Sequence, residues 1–134
     1  MKSIEFNYND GGRASAGFKG TTRDCVVRAI AIATELPYRK VYKDISMLNG
    51  DTPRNGVRIK AVRKYMDILG WTWIPKMTIG SGCTTHLSAD ELPKGRIICN
   101  VSRHLSAVID GVINDTFDCS RGGNRCVYGY WIKQ

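Results

Sequence analysis

Cys25 stands where polar, turn-forming residues give way to an apolar helical run, in Gly20-Thr21-Thr22-Arg23-Asp24-Cys25-Val26-Val27-Arg28-Ala29-Ile30. This setting predicts a thiol in the first turn of a helix, beside unpaired backbone N–H groups and the positive end of the macrodipole. Both features favour the thiolate, the form that attacks carbon. Far downstream, His104 opens a strand-like run that continues through Leu105, Ser106, Ala107, Val108 and Ile109. Asp110-Gly111 follows, and then Val112-Ile113-Asn114-Asp115-Thr116. A thiol, an imidazole able to take its proton and a carboxylate able to orient that imidazole are the groups of nucleophilic acyl transfer.

Asp110-Gly111 is a two-residue hairpin signal, because a type I′ turn needs positive φ at both central positions. If Ile109 pairs with Val112, then Val108 faces Ile113, Ser106 faces Asp115 and His104 faces Phe117. Side chains alternate between the faces of a strand, so His104, Ser106, Asp115 and Phe117 share one face while Asn114 and Thr116 point away. His104 and Asp115 are then diagonal neighbours, at the distance from which side chains on adjacent strands bond. The same parity removes Asn114 and Asp118 as partners.

The roles follow from the chemistry. Cys25 is the expected nucleophile, His104 the base that later delivers a proton to the leaving group, and Asp115 the group that fixes the imidazole. The backbone N–H of Cys25 would hold the oxyanion together with a second donor, for which Thr21, Thr22 and Lys19 are candidates. The other cysteines carry weaker signals. Cys99 sits in an apolar strand and reads as packed. Cys83 and His86, with Cys119 and Cys126, form a chelating alternative, but no paired C-x-x-C is present, so no metal is expected. A disulfide between Cys119 and Cys126 is the other alternative, restricted to an oxidising setting.

These groups need elements to hold them. A nearly all-buried helix is expected over 23–35, capped by Thr22 or Thr21 and ended by Leu36-Pro37. A second helix over 38–48 carries Val41, Ile45 and Leu48 inward. A third, over 57–69, carries Val62, Tyr65, Met66 and Leu69, with Gly70 as its cap. A short strand over 71–74 ends at Pro75, and one helical turn is placed over 88–92. Strands follow over 96–101, 104–109, 112–117 and 126–132. Residues 1–18 read as an irregular arm with a strand-like start at Ile4, Phe6 and Tyr8. Helices first and an antiparallel sheet afterwards is the order of an α+β fold. Trp71, Trp73, Tyr128, Tyr130 and Trp131 are mainly core candidates.

The 134 residues, 43% hydrophobic and 24% charged, have the composition of one globular domain and exclude disorder. No apolar stretch approaches the roughly 20 residues that span a bilayer, so no membrane partner is expected. The N-terminus lacks the apolar core of a secretory signal, and five cysteines without framework spacing suit a reducing compartment. A cytoplasmic protein is therefore expected. The net charge of +8 fits an acidic peptide or protein partner, and nucleic acid is a weaker alternative because no binding motif accompanies it. At helical spacing, Lys60, Arg63 and Lys64 form one basic ridge, read as a solvated face. No cofactor is called for, and the oligomeric state is left open.

With Asp24-Cys25 heading a helix, His104 on a strand and Asp115 just past the next hairpin, the chain resembles the papain-like cysteine peptidase superfamily. It is most similar to the small bacterial and phage peptidase domains of that group. The resemblance covers about residues 18–134, in order and spacing rather than close identity. It implies a papain-like fold, with a helical half bearing the nucleophile packed on an antiparallel sheet bearing the base. Three positions depart from that pattern. The usual Gln before the nucleophile is missing, since the single Gln is Gln134, and Val26 and Thr116 replace the usual Gly and Pro. The expected function is a narrow-substrate cysteine hydrolase of phage or bacterial accessory type, cleaving a peptide, isopeptide or related amide bond. The alternatives are an acyl transferase using the same triad and a catalytically weak scaffold that binds a host protein or nucleic acid through its basic surface.

Overall fold

A computed structural model describes residues 3–19, 24–78 and 80–133. The chain is α+β, with three α-helices and a six-stranded mixed sheet among these residues. The elements in chain order are β1 (Glu5–Tyr8), α1 (Cys25–Thr34), α2 (Tyr38–Asn49), α3 (Ile59–Ile68) and β2 (Trp71–Pro75). They are followed by β3 (Arg96–Val101), β4 (His104–Ile109), β5 (Val112–Asp115) and β6 (Gly129–Lys133). The strand order across the sheet is β1-β5-β4-β3-β6-β2.

α1 is rich in β-branched residues, which a solvent-exposed helix would disfavour. Burial decides otherwise, because every residue from Val26 to Ala33 is buried. The helix lies against β4, with further contacts to β3 and β5. Burying a side chain the size of Ile30 or Val27 gains about 1.5–3 kcal/mol, so several together outweigh the small propensity losses. Leu36 and Pro37 stop the run, and Glu35 takes a left-handed φ of 63° at the cap. α2 and α3 pack in series on α1, presenting Val41 and Ile45, then Val62, Tyr65 and Met66. Lys60, Arg63 and Lys64 all lie on the exposed face of α3.

The sheet is covered on both faces. Ile98, Leu105, Ala107 and Trp131 pack with the helices, while Ile97, Cys99, Val101, Val108 and Ile113 pack on the other side with Leu87, Cys119 and Val127. Period-2 alternation sorts these residues. Loop residues between β2 and β3, and between β5 and β6, supply the second cover.

Several expectations need correction. The arm is not wholly irregular, because β1 pairs in parallel with β5 and makes the sheet mixed rather than antiparallel. β1 is exposed along its length, so backbone pairing and an Asn7–Asn114 side-chain bond of 2.9 Å hold it rather than a hydrophobic signal. α1 spans Cys25–Thr34 with Asp24 as its N-cap residue; Thr21, Thr22 and Arg23, where the cap and helix start were expected, lie outside the described residues. Residues 88–92 close as turns, not a helix, with the Glu91 N–H on the Ser88 carbonyl at 3.2 Å. The third C-terminal strand stops at Asp115, and the last spans Gly129–Lys133 rather than starting at Cys126. Bounds of α2 and α3 differ by one or two residues from those expected.

Candidate active site

The hairpin register sets the site. Ala107 pairs with Asn114, Val108 with Ile113 and Ile109 with Val112, as the Asp110-Gly111 turn predicted. Asp110 adopts φ 49° and Gly111 φ 78°, the left-handed pair that such a turn requires. Ser106 and Asp115 therefore face each other, and the Ser106 hydroxyl donates to Asp115 Oδ2 at 2.8 Å. His104 Nε2 meets the same oxygen at 2.7 Å. The Thr116 N–H donates to Asp115 Oδ1 at 2.7 Å, and the Asn9 N–H to the Asp115 carbonyl at 2.8 Å. A carboxylate held by this many donors is fixed in orientation, and it fixes the imidazole in turn.

Cys25 is the first residue of α1, half-buried, and its thiol lies beside His104 and the Leu105 backbone, near enough for both to favour its thiolate. His104 is the first residue of β4, at the end of the sheet, so its ring reaches both the helix terminus and the carboxylate. Nε2 is taken by Asp115, which leaves Nδ1 as the nitrogen for the thiol. Phe117 stands beside the imidazole with ring centroids 5.1 Å apart and is half-exposed.

Asp24 supports this arrangement from below. It is 1% exposed and makes no N-cap bond through its side chain. Instead its carboxylate takes an ion pair from Arg13 at 3.0 Å, the Tyr38 hydroxyl and the guanidinium of Arg28 one turn on. Arg28 also faces Asp115 Oδ1 at 3.9 Å. One buried cation thus ties the residue before Cys25 to the carboxylate that holds His104. Asp24-x-x-x-Arg28 was visible as an i,i+4 pair on the helix, but its connection to Asp115 spans the fold and left no local signal.

The electrostatics follow from these contacts. Burial alone would push the Cys25 thiol up, but the bond to and charge of His104, the Leu105 backbone bond and Arg28 outweigh it and bring it below its ordinary value. Burial would lower His104, but Asp115, Cys119 and Cys25 raise it to about 11. Burial would likewise raise Asp115, yet His104, Ser106 and Thr116 hold it below the usual carboxylate range. The contacts therefore shift all three groups toward their charged forms, thiolate, imidazolium and carboxylate.

Cys25 and His104 border a cleft of about 740 Å³, lined also by Arg28, Val57, Asn100 and Arg103 among others, while Asp115 lies buried behind the imidazole. A cavity of about 580 Å³ lies at the opposite end of α1, around Glu35, Trp71, Arg96 and Lys133, with no thiol or imidazole in its wall. Lys19 does not line the cleft, and its carbonyl accepts from Arg13 and Arg54. Asn100 does line it, although nothing in its strand context marked it beforehand. Parity places it on the α1 side of β3, one residue beyond Cys99.

The remaining cysteines part company. Cys83 bonds Cys126 in a disulfide, which overturns both the proposed four-residue metal set and a Cys119–Cys126 bridge. The register explains it: His86 bridges Cys126, bringing two long loops together across the sheet face. Cys119 is instead buried beside His104. Its sulfur, a His104 nitrogen and an Asp115 oxygen lie within 4.8 Å of one another, the one such donor group among the described residues. Cys99 is fully buried, and desolvation together with Cys119 pushes its thiol up.

No protein-family model, curated protein or solved structure matches the chain.

Proposed function

We propose that the chain is a cysteine hydrolase of papain-like architecture acting on a peptide, isopeptide or related amide bond. The observation that carries this reading is the His104–Asp115 pair bonded at 2.7 Å behind a Cys25 thiol that borders the same open cleft as His104. The Cys25 thiolate attacks the carbonyl carbon, and the carbonyl electrons move onto oxygen. The Cys25 N–H at the head of α1 and the Asn100 side-chain amide are the donors we assign to that oxyanion. We assign this part to Asn100 rather than Lys19, which does not line the cleft, while Thr21 and Thr22 lie outside the described residues. As the tetrahedral species collapses, His104 gives its proton to the departing amine and the acyl group remains on sulfur as a thioester. His104 then removes a proton from water, which attacks the thioester and frees the acid and the thiolate. Asp115 stays ionised throughout and supports the imidazolium. An amine in place of water would make the same site an acyl transferase.

Alkylation tests the reading. Of the three free thiols, Cys25 alone borders the cleft, while Cys99 and Cys119 are buried. Iodoacetamide at neutral pH should label Cys25 first, with an apparent pKa well below the free-thiol value of about 8.5. Slow labelling, uniform across the thiols, would reject it.

A further inference from the structure

The cleft over Cys25 is uneven in charge. Its lining includes Arg28 and Arg103 but no Asp or Glu side chain. Arg28 is buried, and its charge is met inside the protein by Asp24 and Asp115. Arg103 is different: it is exposed, and among the described residues no hydrogen bond or ion pair engages its side chain. It is the residue before His104, in the two-residue turn that joins β3 to β4 where Val101 pairs with His104.

That turn is held in place. Arg125 donates to the Ser102 carbonyl and, at 3.3 Å, to the Cys119 carbonyl, so the corner is fastened to the loop packed behind His104. Arg103 itself has φ 56°, the left-handed region that favours glycine. A residue with a Cβ is disfavoured there relative to an ordinary position. A glycine would turn the same corner more cheaply and would remove the charge.

We infer that the cleft recognises a carboxylate on the substrate, close to the scissile acyl group, through the guanidinium of Arg103. A planar guanidinium offers paired N–H donors whose spacing matches a carboxylate, and no protein acid competes for them at the cleft wall. The carboxylate belongs either to an acidic side chain or to a chain terminus, since both present the same two oxygens. The inference rests on the hydrolase reading, because it places the anion beside a reacting thiol.

The test compares two reagents that differ only in charge. Iodoacetate and iodoacetamide both lose iodide to the Cys25 thiolate and form a thioether, and the ratio of their rates cancels any general change in thiol reactivity. In Arg103→Glu the iodoacetate-to-iodoacetamide ratio should fall about threefold or more at low ionic strength, the size of a two-unit charge swap across a water-filled cleft. Arg103→Lys should keep most of the ratio, and in the parent protein 0.5 M salt should lower it. A ratio equal in the parent and in Arg103→Glu overturns the inference while leaving the hydrolase reading intact. A Cys25 inert to both reagents overturns the hydrolase reading, and the inference with it. Protection of Cys25 from iodoacetamide by acetyl-glutamate amide, or by acetyl-glycine with its free terminus, tells the source of the carboxylate. Acetyl-glutamine amide is the neutral control, and equal protection by all three counts against Arg103 recognition.

Discussion

A half-buried thiol ordinarily ionises less readily than one in water, and Cys25 reverses that order because an imidazolium and a helix terminus sit on either side of it. The sign of the pH dependence follows. Cys25 loses its proton below its ordinary value of 9.0, and His104 keeps its own until about 11, so alkylation should rise through an inflection below 9.0 and show the imidazole's own step only near 11. In Asp115→Asn the imidazolium loses its partner, and the inflection should move upward toward an ordinary thiol; an unmoved profile would remove Asp115 from the site. Stability carries the same signature. The raised His104 contributes in full below its ordinary 6.5 and loses that contribution as pH climbs through about 11. The depressed Asp115 contributes above its ordinary 3.8 and loses it as pH falls through its lowered value. The gap in unfolding free energy between the parent and Asp115→Asn should therefore be widest between 3.8 and 6.5 and shrink on the alkaline side. For Asn100, hydrolysis of an activated ester should fall about 10²-fold or more in Asn100→Ala while iodoacetamide labelling persists, as loss of an oxyanion donor requires.

At the scale of elements, the site depends on α1 meeting the β4–β5 hairpin, and Arg28 is the polar link between them. Arg28→Met leaves the Asp24 carboxylate buried with less compensation, so urea unfolding should show a loss of about 3–5 kcal/mol. Arg28→Lys should rescue only part of it, because one ammonium cannot serve two carboxylates on different elements. A loss under about 1 kcal/mol in Arg28→Met would show that Arg13 and Tyr38 suffice for Asp24. Further across the sheet, Gly129 lets β6 and β2 close. A Cβ there would run into the Trp73 ring, which packs tilted at 49° against Trp131 with centroids 4.4 Å apart. Gly129→Ala should cost about 1–3 kcal/mol, read as a lower Tm, and it should leave Cys25 labelling in place because the site lies elsewhere.

Across the whole molecule, the two long loops that cover the sheet face opposite the helices are joined by Cys83–Cys126 at a sequence separation of 43. On the chain-entropy account, closing a loop of that size is worth about 2–4 kcal/mol. Reduction, or Cys83→Ser, should lower unfolding stability by that amount, and an unchanged denaturation midpoint would mean that the loops hold without it. No described helix is long and apolar enough to cross a membrane.

Local chemistry made much of this legible. The breakpoint before Cys25 marked a helix start, because apolar periodicity follows polar residues there. Asp110-Gly111 fixed the register, because only certain residues tolerate positive φ, and the period of two then put His104, Ser106 and Asp115 on one face. What no local pattern carried were contacts between distant segments: β1 beside β5, Arg28 on Asp115, Cys119 behind His104, Cys83 with Cys126, and Asn100 and Arg103 on the cleft wall. Such pairings are made by packing, and packing is settled only when every element competes for the same core.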